Sequence, residues 1–280
     1  MPDFVEDRGG APKVFFIDPD PTIISEQFIE TAFLKGLETY CISDDLGGDM
    51  IRKVRILVRN YPNLILFFTI DRKGSLKAWV DYLQELQGCH DDCVRIGVLY
   101  SEKREAMDHL IKKTFNFDVG ITAGSIPLGF STQKNQTMLW QVLEVNQAMG
   151  RRKVIRMKCN PSFRMNFVHK KAVAEGLLLD LSVSHFSARF PGQEHDWDVG
   201  TTFKRAQLRL GGRLLMVDAL IAIKRGVGDD AVFVFLYHPD SGSEEAMRVK
   251  VNEIICQHFQ SRIHEALDRA LIEPPEAPSP

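Results

Sequence analysis

Two short stretches of the chain, Arg-Arg-Lys-Val-Ile-Arg at 151–156 and Asp-Leu-Ser-Val-Ser-His at 180–185, decide how the rest of it is interpreted. The second stretch ends an apolar run that has the composition of a strand. Side chains of a strand alternate between its two faces with a period of two. The spacing therefore predicts that Asp180 and Ser182 lie on the same face.

The residue types in these stretches suit a particular ligand chemistry. Arg152 and Arg156 lie four positions apart at the start of an extended run. Guanidinium groups bind phosphate and the O6/N7 edge of guanine through two parallel hydrogen bonds. The carboxylate of Asp180 and the hydroxyl of Ser182 can accept the donors on another edge of a purine. Together these groups predict a site for an anionic guanine nucleotide.

The two stretches resemble the motifs of the PilZ family, the bacterial receptors for cyclic di-GMP. The first PilZ motif, Arg-x-x-x-Arg, is matched by Arg152 to Arg156, and the second, Asp/Asn-x-Ser-x-x-Gly, by Asp180 to His185. The resemblance covers roughly the second half of the chain. It implies a six-stranded β-barrel with a C-terminal helix that binds cyclic di-GMP. In that resemblance Arg151, Arg152 and Arg156 contact phosphate and guanine, and Asp180 and Ser182 hold a guanine edge.

His185 departs from the PilZ pattern, because it stands where the family has glycine. Glycine allows backbone conformations and a close ligand approach that a β-carbon resists. Histidine is among the residues that more often adopt the left-handed conformation, so loss of binding does not follow. Two interpretations of its side chain are open: an imidazole that stacks on a base, and an exposed histidine of a turn.

The remainder of the second half is predicted to be all-β, with Gly211-Gly212 as a hairpin turn. The predicted strands are Gly176–Asp180, Ser184–Phe190, Thr201–Leu210, Leu214–Lys224 and Ala231–Tyr237. Strands of this length make a small antiparallel barrel or sandwich. We expect Asn252 to cap a final helix over 253–271. The predicted PilZ domain is 150–272, and 1–11 and 273–280 are predicted to be flexible tails.

The first half alternates strands and helices five times between residues 12 and 149, which predicts a doubly wound five-stranded parallel sheet. Its last helix is expected over 136–149, with Gly150 as C-cap. The alternation resembles the response-regulator receiver domain, which implies the flavodoxin-like strand order. A receiver requires a pair of acidic residues to hold Mg²⁺ and an aspartate that accepts phosphate. The acidic pair is interrupted at Asp18-Pro19, and Phe68 aligns with the phosphate acceptor.

Other positions of the receiver pattern also argue against phosphorylation. Asp71 lies in the loop after the third strand, and Ile126-Pro127 stands where receivers have Lys-Pro. Only Ser101 matches, at the hydroxyl position after the fourth strand. We interpret the domain as a pseudo-receiver that is not phosphorylated, in which Asp18 and Asp20 serve turn chemistry and helix capping.

Composition and cysteine usage restrict the function classes. The 280 residues are 44% apolar and 26% charged with a net charge of −2, which argues against general nucleic-acid or membrane-surface binding. Five cysteines, an odd count, fit reduced thiols in a cytoplasmic protein. Cys89-His90-Asp91-Asp92-Cys93 has no second ligand pair at zinc spacing, so we predict a surface loop and no metal. We find neither a secretory signal nor a membrane-spanning apolar run.

Three functional hypotheses follow. The first is a cyclic di-GMP effector in which binding at the hinge 151–156 changes the arrangement of the domains and the interaction with an unidentified protein partner. The second is a degenerate protein-interaction adaptor that does not bind the nucleotide. The third is a regulator that responds to phosphorylation. An enzyme is not predicted, because no Walker loop, nucleophile elbow or zinc-protease motif is found, and no cofactor besides the ligand is predicted.

Overall fold

The computed structural model describes residues 11–43, 50–71, 74–88, 94–101, 105–150, 153–192, 197–238 and 244–272. The chain divides into two compact units. One consists of Met1–Lys153 together with Gln260–Pro280, and the other is Val154–Phe259. Within the described residues, none of the helices has both the length and the apolar composition needed to cross a membrane.

The first unit alternates strands and helices along the chain. Its strands are β1 (Lys13–Ile17), β2 (Thr39–Ile42), β3 (Leu64–Thr69), β4 (Val94–Ser101) and β5 (Gly124–Leu128). Its helices are α1 (Glu26–Leu34), α2 (Met50–Asn60), α3 (Leu76–Gly88), α4 (Glu105–Lys113) and α5 (Thr132–Val145), and a π-helix, Thr114–Val119, follows α4.

All pairings in this sheet are parallel, and the strand order is β2-β1-β3-β4-β5. This is the flavodoxin-like order, and every residue of β1 and β3 is buried. Helices cover both faces of the sheet. The rings of Phe28 on α1 and Trp140 on α5 lie 4.7 Å apart, and Arg55 on α2 pairs with Glu85 on α3 at 2.7 Å. The predicted doubly wound parallel fold is confirmed.

Helix α5 ends earlier than predicted, at Val145, with Asn146 as its C-cap. The side-chain amide of Asn146 donates to the carbonyls of Val142 and Ala123, at 2.8 and 3.3 Å. Gln147 then adopts a left-handed φ of 51°, and the Ala148 N–H donates to the Leu143 carbonyl at 2.9 Å. These bonds form a Schellman termination. The prediction that Gly150 ends this helix is wrong, because Asn146 and Gln147 terminate it first.

The second unit is built from antiparallel strands. They are β6 (Arg156–Lys158), β7 (Arg164–His169), β8 (Ala172–Ser182), β9 (His185–Arg189), β10 (Thr202–Leu210), β11 (Arg213–Arg225) and β12 (Val232–Tyr237). Six of them follow the order β8-β7-β10-β11-β12-β9, and β9 pairs back onto β8. The six strands therefore form a closed barrel, with β6 paired to the end of β8. The barrel expected from the PilZ resemblance is confirmed.

The predicted hairpin at Gly211-Gly212 is also confirmed. Leu210 and Arg213 pair across a two-residue turn, and the two glycines have φ values of 56° and 85°. Positive φ at both central positions defines the type I′ turn, which glycine adopts without steric cost.

Aromatic side chains fill one part of the barrel core. The rings of Phe167 and Phe203 stack at 3.9 Å, and Trp197 lies 5.0 Å from both Phe167 and Phe190. The ring of Phe190 also lies 5.8 Å from that of Phe233. Burial of such rings is a large apolar contribution to folding, so this cluster anchors β7, β10 and β12 around the barrel interior.

The last helix, α6, spans Glu244–Ile272 and begins well before the predicted residue 253. Glu244 and Glu245 place negative charge in its first turn, where it is favourable for the helix dipole. Val251 is fully buried one turn before Ile255, so the apolar stripe extends N-terminal to Asn252. The prediction of Asn252 as an N-cap is wrong, because this residue lies inside the helix and is only 2% exposed.

The part of α6 that belongs to the first unit contacts the edge strand β2. The side-chain amide of Gln260 donates to the Cys41 carbonyl at 2.7 Å and accepts from the Cys41 N–H at 3.4 Å. The amide thus occupies the backbone groups that a neighbouring strand would use, which protects an otherwise open sheet edge. Burial raises the pKa of the Cys41 thiol to about 12, so the thiol stays protonated.

Candidate functional site

The candidate site lies where β6 pairs with the end of β8. Their antiparallel register places two polar pairs opposite each other: Arg156 with Ser182, and Lys158 with Asp180. The intervening residues, Met157 and Leu181, are 1% and 0% exposed and belong to the core. Because side chains alternate along a strand, the four polar side chains share the face that points away from that core. The prediction that Asp180 and Ser182 share a face agrees with this register.

Arg156 and Asp180 form a loose ion pair on this face. Arg156 Nε lies 3.9 Å from Asp180 Oδ1, which is too long for a hydrogen bond. The two side chains are 42% and 24% exposed, so the attraction is partly screened by solvent. Oδ1 itself is buried, and among the described residues it has no hydrogen-bond partner. A buried carboxylate oxygen in this state is a strong acceptor for an incoming N–H donor.

The guanidinium of Arg156 contacts the imidazole of His185. Arg156 Nη2 lies 2.7 Å from His185 Nε2. Arginine is always a donor, so Nε2 is the acceptor and the proton of a neutral imidazole lies on Nδ1. Nδ1 lies 2.9 Å from Ser184 Oγ and 3.2 Å from Ser182 Oγ, both of which can accept that proton. The contacts around the ring are therefore mutually consistent for a neutral imidazole.

The electrostatic surroundings also favour the neutral form of His185. Burial lowers the pKa of the imidazole, and the charge of Arg156 lowers it further. The carboxylate of Asp180 acts in the opposite direction, but it is the weakest of the three influences. The imidazole is therefore expected to be neutral at pH 7 and to accept the Arg156 proton donor.

Ser182 holds the turn that carries His185. Its hydroxyl donates to the His185 carbonyl at 2.8 Å and accepts from the His185 N–H at 3.2 Å.

The Ser182 carbonyl accepts from the Tyr237 hydroxyl at 3.1 Å. Burial raises the pKa of that phenol well above its usual value, so Tyr237 remains a donor. Burial and the nearby Asp180 charge raise the pKa of Cys159 to about 12.

Four of the six residues predicted for the site come together: Arg156, Asp180, Ser182 and His185. Arg151 and Arg152 lie outside the described residues. His185 is the first residue of β9 and does not adopt the left-handed conformation. It is partly buried and hydrogen-bonded, which differs from the exposed turn histidine considered above.

Lys158 was missed by the sequence interpretation. It is exposed on the same face of β6 as Arg156 and lies opposite Asp180. A period of two counted from Arg156 would have found it, once β6 was recognised as a strand.

The carboxyl edge of the parallel sheet holds the residues compared with a receiver. Phe68 is fully buried, with its ring 5.8 Å from that of Trp79. The Asp71 carboxylate accepts the Ser101 N–H. Asp20 Oδ1 accepts from the Thr22 N–H at 2.9 Å, which agrees with its interpretation as a turn residue. The segment 89–93, considered above as a metal site, lies outside the described residues.

Comparison with known proteins gives similarity at the level of solved structures. No protein-family model matches the chain, and no curated protein matches it. It is similar to YcgR of Escherichia coli in complex with c-di-GMP, with 17% identity and a TM-score of 0.36 over 44% of this chain and 51% of that one. It is also similar to the PilZ domain of the same protein with c-di-GMP, with 19% identity and a TM-score of 0.34 over 43% of this chain and 97% of that one. A third similar structure is the K. pneumonia MrkH–c-di-GMP complex, with 13% identity and a TM-score of 0.32 over 40% of this chain and 53% of that one. The chain thus spans about half the length of the full YcgR and MrkH structures.

Proposed function

We propose that this protein is a cyclic di-GMP effector that binds the nucleotide on the polar face formed by β6 and the end of β8. The proposal comes from the residue types of the two motifs and from their placement. It assigns Arg156 to phosphate or the O6/N7 edge of guanine, and Asp180 to the N1–H and N2–H donors of guanine.

One observation carries the proposal: a guanidinium and a buried carboxylate oxygen without a hydrogen bond among the described residues lie 3.9 Å apart on one face. A guanine nucleotide offers phosphate and carbonyl acceptors for the first group and N–H donors for the second. A simple phosphate ion would satisfy only Arg156. Asp180 therefore supports a guanine base as part of the ligand.

The remaining predicted residues add groups that suit the same ligand. Arg151 and Arg152 precede Arg156 closely in the sequence, so a dinucleotide with two phosphates can be met by more than one guanidinium. Lys158 adds a positive charge on the face of β6 that carries Arg156. Ser182 is buried, with its hydroxyl bonded to the His185 backbone, and contributes by positioning the turn.

The test is isothermal titration of the full chain with cyclic di-GMP. Arg156→Ala and Asp180→Ala should each weaken binding at least about tenfold, because hydrogen bonds to charged groups contribute ~1.5–3 kcal/mol. Arg209→Ala is the matched control, since Arg209 is also an exposed strand arginine but lies on β10. Equal affinities for wild type, Arg156→Ala and Arg209→Ala would contradict the assignment.

We further propose that the nucleotide changes the arrangement of the two units and thereby the surface offered to a protein partner. Support comes from chain position, because Arg156 follows the unit boundary at Lys153/Val154 by two residues. Ordering of a segment by a ligand is an established way to switch a protein. Small-angle scattering with and without cyclic di-GMP measures this, and identical profiles at saturating ligand would contradict it.

A second candidate function is the adaptor that does not bind the nucleotide. The contact between Arg156 and His185 favours it, because the guanidinium already has an internal acceptor at 2.7 Å. The titration separates the two functions, since an adaptor of this kind gives no heat with cyclic di-GMP at any tested concentration.

A further inference from the structure

We infer that His185 is an internal competitor of the nucleotide for Arg156, and that it therefore sets the affinity of the site. This inference rests on the function proposed above. It deepens that function, because it assigns to His185 control over ligand binding rather than contact with the ligand.

The geometry of the guanidinium supports competition. A two-pronged contact with phosphate or guanine uses two N–H groups on one edge of the guanidinium. An N–H of Arg156 Nη2 is directed at His185 Nε2, 2.7 Å away, while Nε faces Asp180 at 3.9 Å. Nη2 carries two N–H groups, and a nucleotide whose contact uses the one directed at Nε2 must replace the imidazole.

The other side of the ring holds the imidazole in this position. Nδ1 is within 2.9 Å of Ser184 Oγ and 3.2 Å of Ser182 Oγ, and Ser182 also bonds the His185 backbone. The ring is thus held at both nitrogens before any ligand arrives. A site that is open only part of the time has an apparent dissociation constant raised by the reciprocal of its open fraction.

Protonation is expected to release the competitor. An imidazolium donates from both nitrogens and cannot accept from arginine, so acid breaks the contact with Arg156. The charged groups that face the ring are Arg156 on β6 and Asp180 on β8. The serine hydroxyls and the Tyr237 phenol nearby do not titrate in the range considered. The freed Arg156 and the new positive charge both favour an anionic ligand, so affinity should rise as the pH falls through the pKa of His185, which lies below the ordinary imidazole value.

Titrations of the full chain with cyclic di-GMP at pH 7.5 and pH 5.5 test the inference. We expect His185→Gly and His185→Ala to bind about tenfold more tightly than wild type at pH 7.5. Wild type should bind more tightly at pH 5.5 than at pH 7.5, and neither variant should show that gain. His185→Gln keeps an acceptor that does not titrate, so it should remain weak at both pH values. Both His185→Gly and His185→Ala are measured, so that the inference can still be tested if one of them fails to fold.

The outcomes separate the two claims. If wild type binds and both His185→Gly and His185→Ala bind equally or more weakly, His185 is not a competitor and the inference is overturned. Binding by the Gly and Ala variants but not by wild type supports competition by His185 and assigns the unmodified chain to the adaptor function. If wild type and every variant fail to bind at both pH values, the proposed function itself is overturned, and the inference with it.

Discussion

Replacement of Ser182 by alanine should loosen the turn that positions His185. Ser182 is fully buried, and its hydroxyl both donates to the His185 carbonyl and accepts from the His185 N–H. Alanine removes both bonds and leaves those backbone groups without their side-chain partner. Two bonds at about 1 kcal/mol each predict that the opening of β8 and β9 becomes easier by about 1–2 kcal/mol.

Hydrogen–deuterium exchange measures this local change. Where reclosing is faster than exchange, 1–2 kcal/mol corresponds to exchange about 5–30 times faster. Peptides that cover 172–189 report β8 and β9, and peptides that cover β1 and β3 provide an internal reference in the other unit. The increase should be confined to the first group of peptides.

Ser184→Ala is the matched control. Ser184 is exposed, and its hydroxyl contacts His185 Nδ1 and Ser182 Oγ rather than the His185 backbone. The same chemical change there should alter stability by no more than about 0.5 kcal/mol. Unchanged exchange in Ser182→Ala, or a larger effect in Ser184→Ala, would refute the role given to Ser182.

Two further predictions concern the core and the first unit. Gly176→Ala should destabilise the barrel by about 1–3 kcal/mol, because an added Cβ would lie 2.6 Å from the ring of Phe190. That ring cannot move aside easily, since other aromatic side chains enclose it. Chemical denaturation measures the change in the free energy of unfolding. Gly88→Ala, whose Cβ meets nothing within 4 Å, is the control, and equal stability losses would contradict the packing argument. Acetyl phosphate should leave the chain unmodified, because the buried Phe68 aligns with the acceptor position of the receiver pattern and the Asp71 carboxylate accepts the Ser101 N–H. A mass increase of one phosphate on Asp18, Asp20 or Asp71 would contradict the pseudo-receiver interpretation.

The sequence was sufficient for the fold class because its patterns are strong. Alternating apolar strands and helices predicted the parallel sheet, and the glycine pair at 211–212 predicted a hairpin. Element ends were less predictable, since they depend on single side-chain bonds. Asn146 ends α5 through hydrogen bonds that include one to Ala123, which is distant in the sequence. Asn252 was predicted to begin the last helix, but it lies buried inside that helix.

The candidate site was predictable in part for the same reasons. A period of two placed Asp180 and Ser182 on one face. The residues that lie opposite them depend on the pairing of β6 with β8, which no local sequence pattern reveals. The contact between Arg156 and His185 spans 29 positions, and it follows from that pairing and from the turn at Ser182. The sequence predicted Arg156 and His185 but not Lys158, and the contact between Arg156 and His185 depends on the strand register.

A crystal structure of the chain with cyclic di-GMP is the most direct test of the central claim. We predict a guanine whose N–H donors lie within hydrogen-bond distance of Asp180 Oδ1, with Arg156 on the nucleotide and the His185 imidazole displaced from Nη2. A nucleotide bound elsewhere on the chain, with the contact between Arg156 and His185 intact, would contradict it.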